Sequence, residues 1–272
     1  MGHLAADLDV FLDAGATPVS ETVLATRGLD KSFGSLVVAR DIAFSLPHGA
    51  RHALIGPNGA GKTTLINLMT GMLRPDAGEI LLGGDPITAL APEKRVARGL
   101  VRTFQINTLF PNLNALEAVT LAVCEREGVS RTWWQRVTAH PAAIDEAHAI
   151  LSSLMLGNDC YRPTRELPYG RQRLLEIALA LATRPKVLLL DEPAAGVPRE
   201  ESRELLAAIA GLSRDITVLF IEHDMDLVFR FASRVIVMVG GRVLVEGTPA
   251  EIAADPRVRA VYLGKARHEA AS

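Results

Sequence analysis

One eight-residue segment, 56–63, constrains the fold of this chain more than any other. It reads Gly-Pro-Asn-Gly-Ala-Gly-Lys-Thr and matches the pattern G-x-x-x-x-G-K-[ST] at every fixed position. The glycines allow the backbone to turn so that successive N–H groups point at a phosphate chain, and a helix that begins there adds its positive dipole end. An apolar run, 51–55, precedes the segment and a helical stretch, 64–72, follows it. The pattern therefore predicts a strand–loop–helix unit that binds phosphates.

The residues of this loop have different roles in holding a nucleotide. The Lys62 ammonium can reach the β- and γ-phosphates, and the Thr63 hydroxyl can bind Mg²⁺. The residues predicted to bind the nucleotide are Gly56, Pro57, Asn58, Gly59, Ala60, Gly61, Lys62, Thr63 and Thr64. The loop alone is compatible with GTPases, kinases and motor ATPases, so other segments must decide among these classes.

A second apolar run ends in two carboxylates. Residues 187–190 read Val-Leu-Leu-Leu, which predicts a buried strand, and Asp191 and Glu192 follow directly. Ligands of parallel sheets bind at the carboxyl ends of strands, so Asp191 is placed to hold Mg²⁺ through water. Glu192 is placed to polarise the water that attacks the terminal phosphate. The pair points to hydrolysis of a nucleoside triphosphate.

Short apolar runs alternate with helical stretches along most of the chain. The predicted strands are 36–39, 42–46, 51–55, 79–82, 187–190, 217–221, 235–239 and 242–245, and the predicted helices are 64–72, 143–156, 171–182, 199–212 and 225–232. This alternation predicts an α/β fold with a mostly parallel sheet, and a helical block at about 107–183 is inserted between its two halves. Residues 1–22 are predicted to be a flexible tail, 23–264 the folded domain, and 265–272 a second tail.

The composition excludes several other classes of protein. The 272 residues include 29 Lys and Arg against 31 Asp and Glu, a formal net charge of −2. Nucleic acids and anionic lipids attract an excess of positive charge, which this chain lacks. Mean hydropathy is +0.20, but no run approaches the roughly 18 to 20 apolar residues of a membrane span. Cys124 and Cys160 have neither metal-ligand spacing nor a disulfide framework.

With these motifs, the chain resembles the ATP-binding subunits of ABC transporters over about residues 24–264. The resemblance implies a P-loop ABC ATPase core with an antiparallel β-subdomain and an inserted α-helical subdomain, which binds ATP and Mg²⁺. Gln105, in Arg-Thr-Phe-Gln, stands where the family has the glutamine that touches Mg²⁺ and the attacking water. His223, in Ile-Glu-His-Asp, resembles the switch histidine that contacts the γ-phosphate, and Phe33 matches the aromatic residue that stacks on adenine. The resemblance thus assigns catalysis to Lys62, Gln105, Glu192 and His223, and Mg²⁺ binding to Thr63, Gln105 and Asp191.

The signature segment departs from the family's common Leu-Ser-Gly-Gly-Gln. In this chain it consists of Leu167, Pro168, Tyr169, Gly170 and Arg171. In the family this loop opens a helix and caps the γ-phosphate of ATP bound to the opposite subunit. The helix dipole and the Gly170 N–H can still serve an anion, but the serine hydroxyl is replaced by proline. The segment after Glu192 also differs, with Pro198 where the family commonly has aspartate.

These departures resemble one group within the family, the ATPases of uptake systems for branched-chain or other hydrophobic amino acids or related small organic molecules. Besides the altered signature, the shared features are Asp-Glu-Pro-Ala-Ala-Gly, Ile-Glu-His-Asp-Met and the C-terminal segment from Gly247-Thr248-Pro249 to Tyr262-Leu263-Gly264. The resemblance implies a second ATPase subunit, two transmembrane permease subunits and an extracytoplasmic substrate-binding protein as partners. It also implies a cytoplasmic location, peripheral on the inner face of the bacterial inner membrane.

Two other functions are compatible with the sequence. The chain could be an ATPase for lipid or lipopolysaccharide export, or a non-transport regulatory ABC protein that binds nucleotide without hydrolysis. Glu192 and His223 are both present, which gives no reason to predict an inactive site. A further hypothesis concerns Trp133-Trp134 in the helical block, which either dock a permease helix or simply pack within the block.

Overall fold

A six-stranded sheet forms the centre of the molecule. The computed structural model describes residues 21–103, 109–129 and 140–269. In chain order the strands of this sheet are β3 (Arg51–Ile55), β6 (Leu100–Arg102), β7 (Val187–Asp191), β8 (Thr217–Ile221), β9 (Arg234–Val239) and β10 (Arg242–Gly247). Their order across the sheet is β10-β9-β3-β8-β7-β6, and only β10 runs antiparallel to its neighbour. The predicted α/β fold with a mostly parallel sheet is confirmed.

A smaller antiparallel sheet lies beside the central one. Its strands are β1 (Thr22–Phe33), β2 (Leu36–Pro47), β4 (Ala77–Leu82) and β5 (Asp85–Pro86), in the order β2-β1-β4-β5. The two predicted strands at 36–39 and 42–46 are wrong as separate elements because β2 is continuous. Asp41 takes a left-handed backbone with φ of 50°, and the pairing register with β1 shifts at this position. A bulge of this kind lets a strand continue past an irregular residue.

The five predicted helices are present with shifted ends. The helices of the structure are α1 (Lys62–Thr70), α2 (Pro92–Ala97), α3 (Ala115–Arg126), α4 (Pro141–Ser153), α5 (Tyr169–Leu181), α6 (Arg199–Ala210), α7 (Met225–Phe231), α8 (Pro249–Ala254) and α9 (Pro256–Glu269). The predicted ones are α1, α4, α5, α6 and α7, and the structure adds α2, α3, α8 and α9, which were not predicted from the sequence. Helices α3, α4 and α5 form the inserted helical block between β6 and β7. Helix α1 begins two residues before its predicted start and ends at Gly71, whose left-handed backbone closes the last turn.

Successive residues of the central strands point to opposite faces, and each face has its own core. Leu188 and Leu190 of β7 belong to the core on the side of the helical block, whereas Val187 and Leu189 belong to the core under α1 and the antiparallel sheet. Both faces of a parallel sheet must be covered by other elements, which explains why β7 and β8 read as continuous apolar runs. The positive mean hydropathy is therefore accounted for by a sheet buried on both sides.

Some sequence predictions concern residues outside the described ranges, and one predicted boundary falls inside a helix. Gln105, the Trp133-Trp134 pair and the tail through residue 20 are not among the described residues. The boundary predicted at 264 falls within α9, which runs on to Glu269. Within the described ranges, no helix combines the length and the apolar character that a bilayer crossing requires.

Arg95 of α2 is a buried cation that holds the end of α1. Its side chain is 1% exposed and donates to the carbonyl oxygens of Leu68 at 2.7 Å and Met69 at 2.6 Å. It also donates to the carbonyls of Thr88 and Leu90. The last carbonyls of a helix lack the usual intrahelical partners, so the guanidinium supplies donors to them, in addition to the Gly71 N–H that reaches the Leu68 carbonyl. Arg95 therefore joins the end of α1, the helix that follows the loop at 56–61, to the segment that contains Thr88 and Leu90.

We expect Arg95→Met to lower the free energy of unfolding by roughly 3 to 5 kcal/mol, because buried carbonyls lose a charged donor. The midpoint of urea denaturation measures this loss. Arg98→Met is the matched control, since Arg98 ends the same helix but is exposed, and its effect should stay within about 0.5 kcal/mol. Equal effects of the two substitutions would contradict the assigned role.

His52 of β3 is a buried histidine that the fold keeps neutral. It is 2% exposed, and its Nδ1 has no hydrogen-bond partner within the described residues. Burial, with a smaller effect of the nearby Arg234 charge, lowers the pKa of His52 to about 4. In the unfolded chain its pKa is about 6.5, so the unfolded state takes up a proton first as the pH falls. His52 therefore destabilises the fold below neutral pH.

We expect the stability of the wild type relative to His52→Phe to fall by about 2 kcal/mol between pH 7 and pH 5. The phenylalanine ring replaces the imidazole without a titrating group. Urea denaturation of both proteins across this pH range measures the difference. Stability curves that run parallel from pH 7 to pH 5 would contradict the prediction.

Candidate functional site

The loop at 56–61 connects β3 to α1 as the sequence predicted. Two of its glycines lie so close to neighbouring backbone that a side chain has no room. A Cβ at Gly56 would lie 2.2 Å from the Met238 carbonyl oxygen, and one at Gly61 would lie 2.5 Å from that of Val38. Gly61 also has φ of 98° at the start of α1. The glycines at both ends of the loop are thus required by close contacts with β9 and β2.

Lys62 is the first residue of α1 and folds back over the loop. Its side chain is buried, and its Nζ donates to the carbonyl oxygens of Gly56 at 2.7 Å and Pro57 at 3.2 Å. Thr63 is exposed and Thr64 is half-buried. The loop therefore presents a helix N-terminus, an ammonium group and an exposed hydroxyl together, which suits a polyphosphate and its cation.

Asp191, the last residue of β7, is held by a residue that sequence reasoning missed. Arg102, at the end of β6, donates to Asp191 Oδ2 at 2.6 Å and to Asn67 Oδ1 of α1 at 2.9 Å. The guanidinium thus connects the carboxylate to the helix that follows the glycine-rich loop. No sequence signal indicated this contact, because β6 is not among the predicted strands and only the sheet order places it beside β7.

Glu192 and His223 meet at the carboxyl ends of β7 and β8. His223 Nε2 lies 2.5 Å from Glu192 Oε1, and the two side chains are 46% and 43% exposed. Strands β7 and β8 pair in parallel with Asp191 opposite Ile221, so residues just beyond both ends are neighbours. Glu192 has φ of 50°, a left-handed conformation that costs a non-glycine residue roughly 1 to 2 kcal/mol. Such strain is typical of functional sites.

Glu222 is a second residue that sequence reasoning missed. It lies between β8 and His223 and is 5% exposed. Its carboxylate accepts from the backbone N–H of Ala194 at 2.9 Å and that of His223 at 3.2 Å. Burial raises the pKa of Glu222, and the two N–H groups oppose that effect. The Ile-Glu-His-Asp segment indicated His223 and gave Glu222 no role, since a glutamate after a strand is usually solvated.

The signature segment lies at the start of α5. Leu167 is buried, Pro168 precedes the helix, and Arg171 donates to the Met155 carbonyl at 2.6 Å. Tyr169 is 40% exposed, and the Arg173 guanidinium stacks on its ring at 5.3 Å from the centroid. The helix thus begins directly after Pro168, although proline provides no side-chain capping hydrogen bond at this N-cap position.

The signature segment contacts the chain that follows Glu192. The Gly170 N–H donates to Glu201 Oε2 of α6 at 3.1 Å, and a Cβ at Gly170 would lie 2.5 Å from that oxygen. A Cβ at Gly196 would lie 3.5 Å from the Tyr169 ring. The Gly170 N–H, which the sequence suggested for an anion, therefore has a carboxylate of the same chain as its partner. No sequence motif had pointed to Glu201 as part of this contact.

Phe33 ends β1 at the tip of the β1–β2 hairpin. Its ring is 50% exposed, and the Lys31 ammonium lies 5.6 Å from the ring centroid. About half of the Phe33 surface is accessible, and stacking on a base requires accessible ring surface. The neighbouring order β3-β8-β7 places the glycine-rich loop, Glu192 and His223 at the same edge of the central sheet.

The oxygen donors fit Mg²⁺ better than a metal held by protein alone. Within the described residues, no group of three His, Cys, Asp or Glu side chains could hold a metal ion. Mg²⁺ commonly takes one or two protein oxygens and completes its shell with phosphate oxygens and water. The exposed Thr63 hydroxyl and the Asp191 carboxylate supply donors of that type.

The chain is similar to known proteins along most of its length. Residues 39–195 match the family model described as ABC transporter, and residues 242–268 match the model described as branched-chain amino acid ATP-binding cassette transporter. The chain is 37% identical over 257 residues to the high-affinity branched-chain amino acid transport ATP-binding protein BraF of Pseudomonas aeruginosa, and 38% identical over 257 residues to LivG of Escherichia coli. Both alignments cover 91% of this chain and 100% of the relative.

A solved structure is similar over almost its whole length. The ADP conformation of MJ1267, an ATP-binding cassette of an ABC transporter, superposes with a TM-score of 0.79 at 30% identity. The alignment covers 89% of this chain and 99% of that structure. A nucleotide-free ATP-binding cassette from an ABC transporter gives a TM-score of 0.77, also at 30% identity, over 89% of this chain and 98% of its own.

Proposed function

The chain belongs to the ABC transporter family of ATP-binding subunits, and on that premise we propose that it hydrolyses ATP to drive an importer of branched-chain or other hydrophobic amino acids. The observation that carries the cargo class is the C-terminal match at 242–268 to the branched-chain amino acid cassette model. The BraF and LivG relatives, aligned along 91% of this chain, support the same class.

We assign binding of the ATP phosphates to the loop at 56–61 and α1. The Lys62 ammonium, now on the carbonyls of Gly56 and Pro57, would turn to the β- and γ-phosphates, and the N-terminus of α1 would face the phosphate chain. Thr63 and Asp191 would hold Mg²⁺, which neutralises charge on the phosphate oxygens. Phe33 would stack on adenine, supported by its exposed ring at the hairpin tip.

Glu192 is proposed to orient and polarise the attacking water, and His223 to contact the γ-phosphate. Their contact in the structure supports this pairing, because both side chains meet at the sheet edge that carries Asp191. Hydrolysis of this kind depends mainly on positioning and charge neutralisation. Gln105, outside the described residues, is proposed as a further ligand of Mg²⁺ and the water on the basis of its motif alone.

We further propose that the chain acts in an assembly. Its partners would be a second ATPase subunit, two permease subunits and an extracytoplasmic substrate-binding protein, with the chain on the cytoplasmic face of the membrane. Leu167, Pro168, Tyr169, Gly170 and Arg171 would face the ATP of the second subunit. Pro168 lacks a hydroxyl, and the Gly170 N–H donates a hydrogen bond to Glu201, so this segment is poorly suited to cap the γ-phosphate of a second copy of the same chain. A second ATPase of different sequence is therefore the favoured partner.

We expect Glu192→Gln to bind ATP with an unchanged Kd while kcat falls at least about 100-fold, because the amide cannot polarise the water. Calorimetric titration measures binding, and phosphate release measures turnover. Glu200→Gln is the matched control, since Glu200 is exposed at the start of α6. Normal steady-state hydrolysis by Glu192→Gln would remove Glu192 from this role.

The cargo class is tested by transport in the source organism. We expect deletion of the gene that encodes this chain to lower uptake of radiolabelled leucine, isoleucine or valine at least about 10-fold, because import requires the ATPase. Wild-type protein should restore uptake, and Glu192→Gln should not. Undiminished uptake of all three amino acids, with loss of uptake of another solute, would contradict the assigned class.

A further inference from the structure

Glu222 is a buried carboxylate to which neither the motifs nor the comparisons assign a role. It follows β8 directly and precedes His223 in the chain. Its side chain is 5% exposed, although a glutamate at the end of a strand usually reaches solvent. A carboxylate is costly to bury unless its oxygens accept hydrogen bonds, so its partners indicate what it does.

Both oxygens of Glu222 accept a backbone N–H from a loop of the site. Oε1 accepts from Ala194 at 2.9 Å, two residues after Glu192, and Oε2 accepts from His223 at 3.2 Å. The side chain thus connects the loop that follows β7 to the loop that follows β8. Hydrogen bonds from N–H groups to an ionised carboxylate are shorter and stronger than neutral ones.

The Ala194 bond fixes a strained segment. Glu192 has a left-handed backbone, and its carbonyl accepts from the N–H of Ala195 at 3.0 Å, which closes a tight turn. The N–H of Glu192 donates to the Ile221 carbonyl at 3.1 Å. A strained conformation persists only where surrounding contacts hold it. The bond from Ala194 to Glu222 is a side-chain contact that holds the backbone of this turn against the end of β8.

We propose that Glu222 is a positioning residue for ATP hydrolysis, tying the turn after Glu192 to the His223 backbone so that these two side chains meet. The inference rests on the proposed function, since it assigns a supporting role to the same site. The backbone bonds between β7 and β8 place the strand ends side by side. Glu222 then sets the direction in which Glu192 leaves its strand.

The test compares two substitutions that remove acceptors in steps. Glu222→Gln keeps the length and one acceptor, but its NH₂ group faces the other backbone N–H. Glu222→Met keeps the length and removes both acceptors. We expect kcat to fall about 5- to 10-fold in the glutamine variant and about 100-fold in the methionine variant. The Kd for ATP, measured by calorimetric titration, should stay within twofold, because the phosphate-binding loop lies on β3 and α1.

Thr217→Val is the matched control. Thr217 begins the same strand at the end away from the site, is fully buried, and its hydroxyl accepts from the Gly49 N–H and donates to the Pro47 carbonyl. The valine variant loses two buried hydrogen bonds, as Glu222→Met does, and should keep the wild-type kcat. Amide hydrogen exchange gives a readout independent of activity. Exchange in a peptide spanning 192–198 should accelerate at least tenfold in both Glu222 variants and stay unchanged in Thr217→Val.

Each outcome decides the proposal. A graded loss of kcat at constant Kd, with faster exchange at 192–198, supports it, and the glutamine variant supplies the answer if the methionine variant does not fold. Wild-type kcat in Glu222→Gln with unchanged exchange would overturn it, as would a loss no larger than that of Thr217→Val or a parallel rise in Kd. Failure of the proposed function is distinguishable, because wild-type protein would then show no hydrolysis at all.

Discussion

The parallel pairing of β7 with β8 is the constraint on which the candidate site depends. It places Asp191 opposite Ile221, so the residues just beyond the two strands become neighbours. Glu192 and His223 are 31 positions apart in the chain, and this register is what brings them into contact. Because both strands are buried on both faces, a shift by one residue would move apolar side chains between the two cores. Packing in the two cores therefore stabilises this strand register, and the register brings the residues of the candidate site together.

Polar side chains that satisfy backbone groups hold the surrounding elements. Arg95 holds the end of α1 through its carbonyls, and Arg102 joins the same helix to Asp191. Glu222 and Glu201 accept backbone N–H groups from loops that carry Ala194 and Gly170. Arg95, Glu222 and Glu201 bond backbone groups, whereas Arg102 bonds two side chains, Asn67 and Asp191. The site is thus supported both by bonds to backbone groups and by the Arg102–Asp191 ion pair.

Much of the fold could be predicted because its signals are local. Apolar periodicity located most of the central strands, and the glycine-rich pattern located the phosphate-binding loop with its flanking elements. The error at 36–46 came from Asp41, whose left-handed backbone lets a strand continue where the sequence suggested a break. The ends of α1 shifted because Gly61 and Gly71 determine them through backbone conformation. Residues such as Arg102 and Glu222 lack a local signal, since their partners are distant in the chain.

The amino-acid sequence by itself determined most of the central strands, five of the helices, the phosphate-binding loop and the Asp191-Glu192 pair, because these depend on local spacing and side-chain chemistry. Only the tertiary structure decided which groups touch. It paired His223 with Glu192, gave the Gly170 N–H to Glu201, and buried Glu222 between two loops. These contacts depend on strand register and on the packing of α5 against α6, which arise only when distant segments share one core.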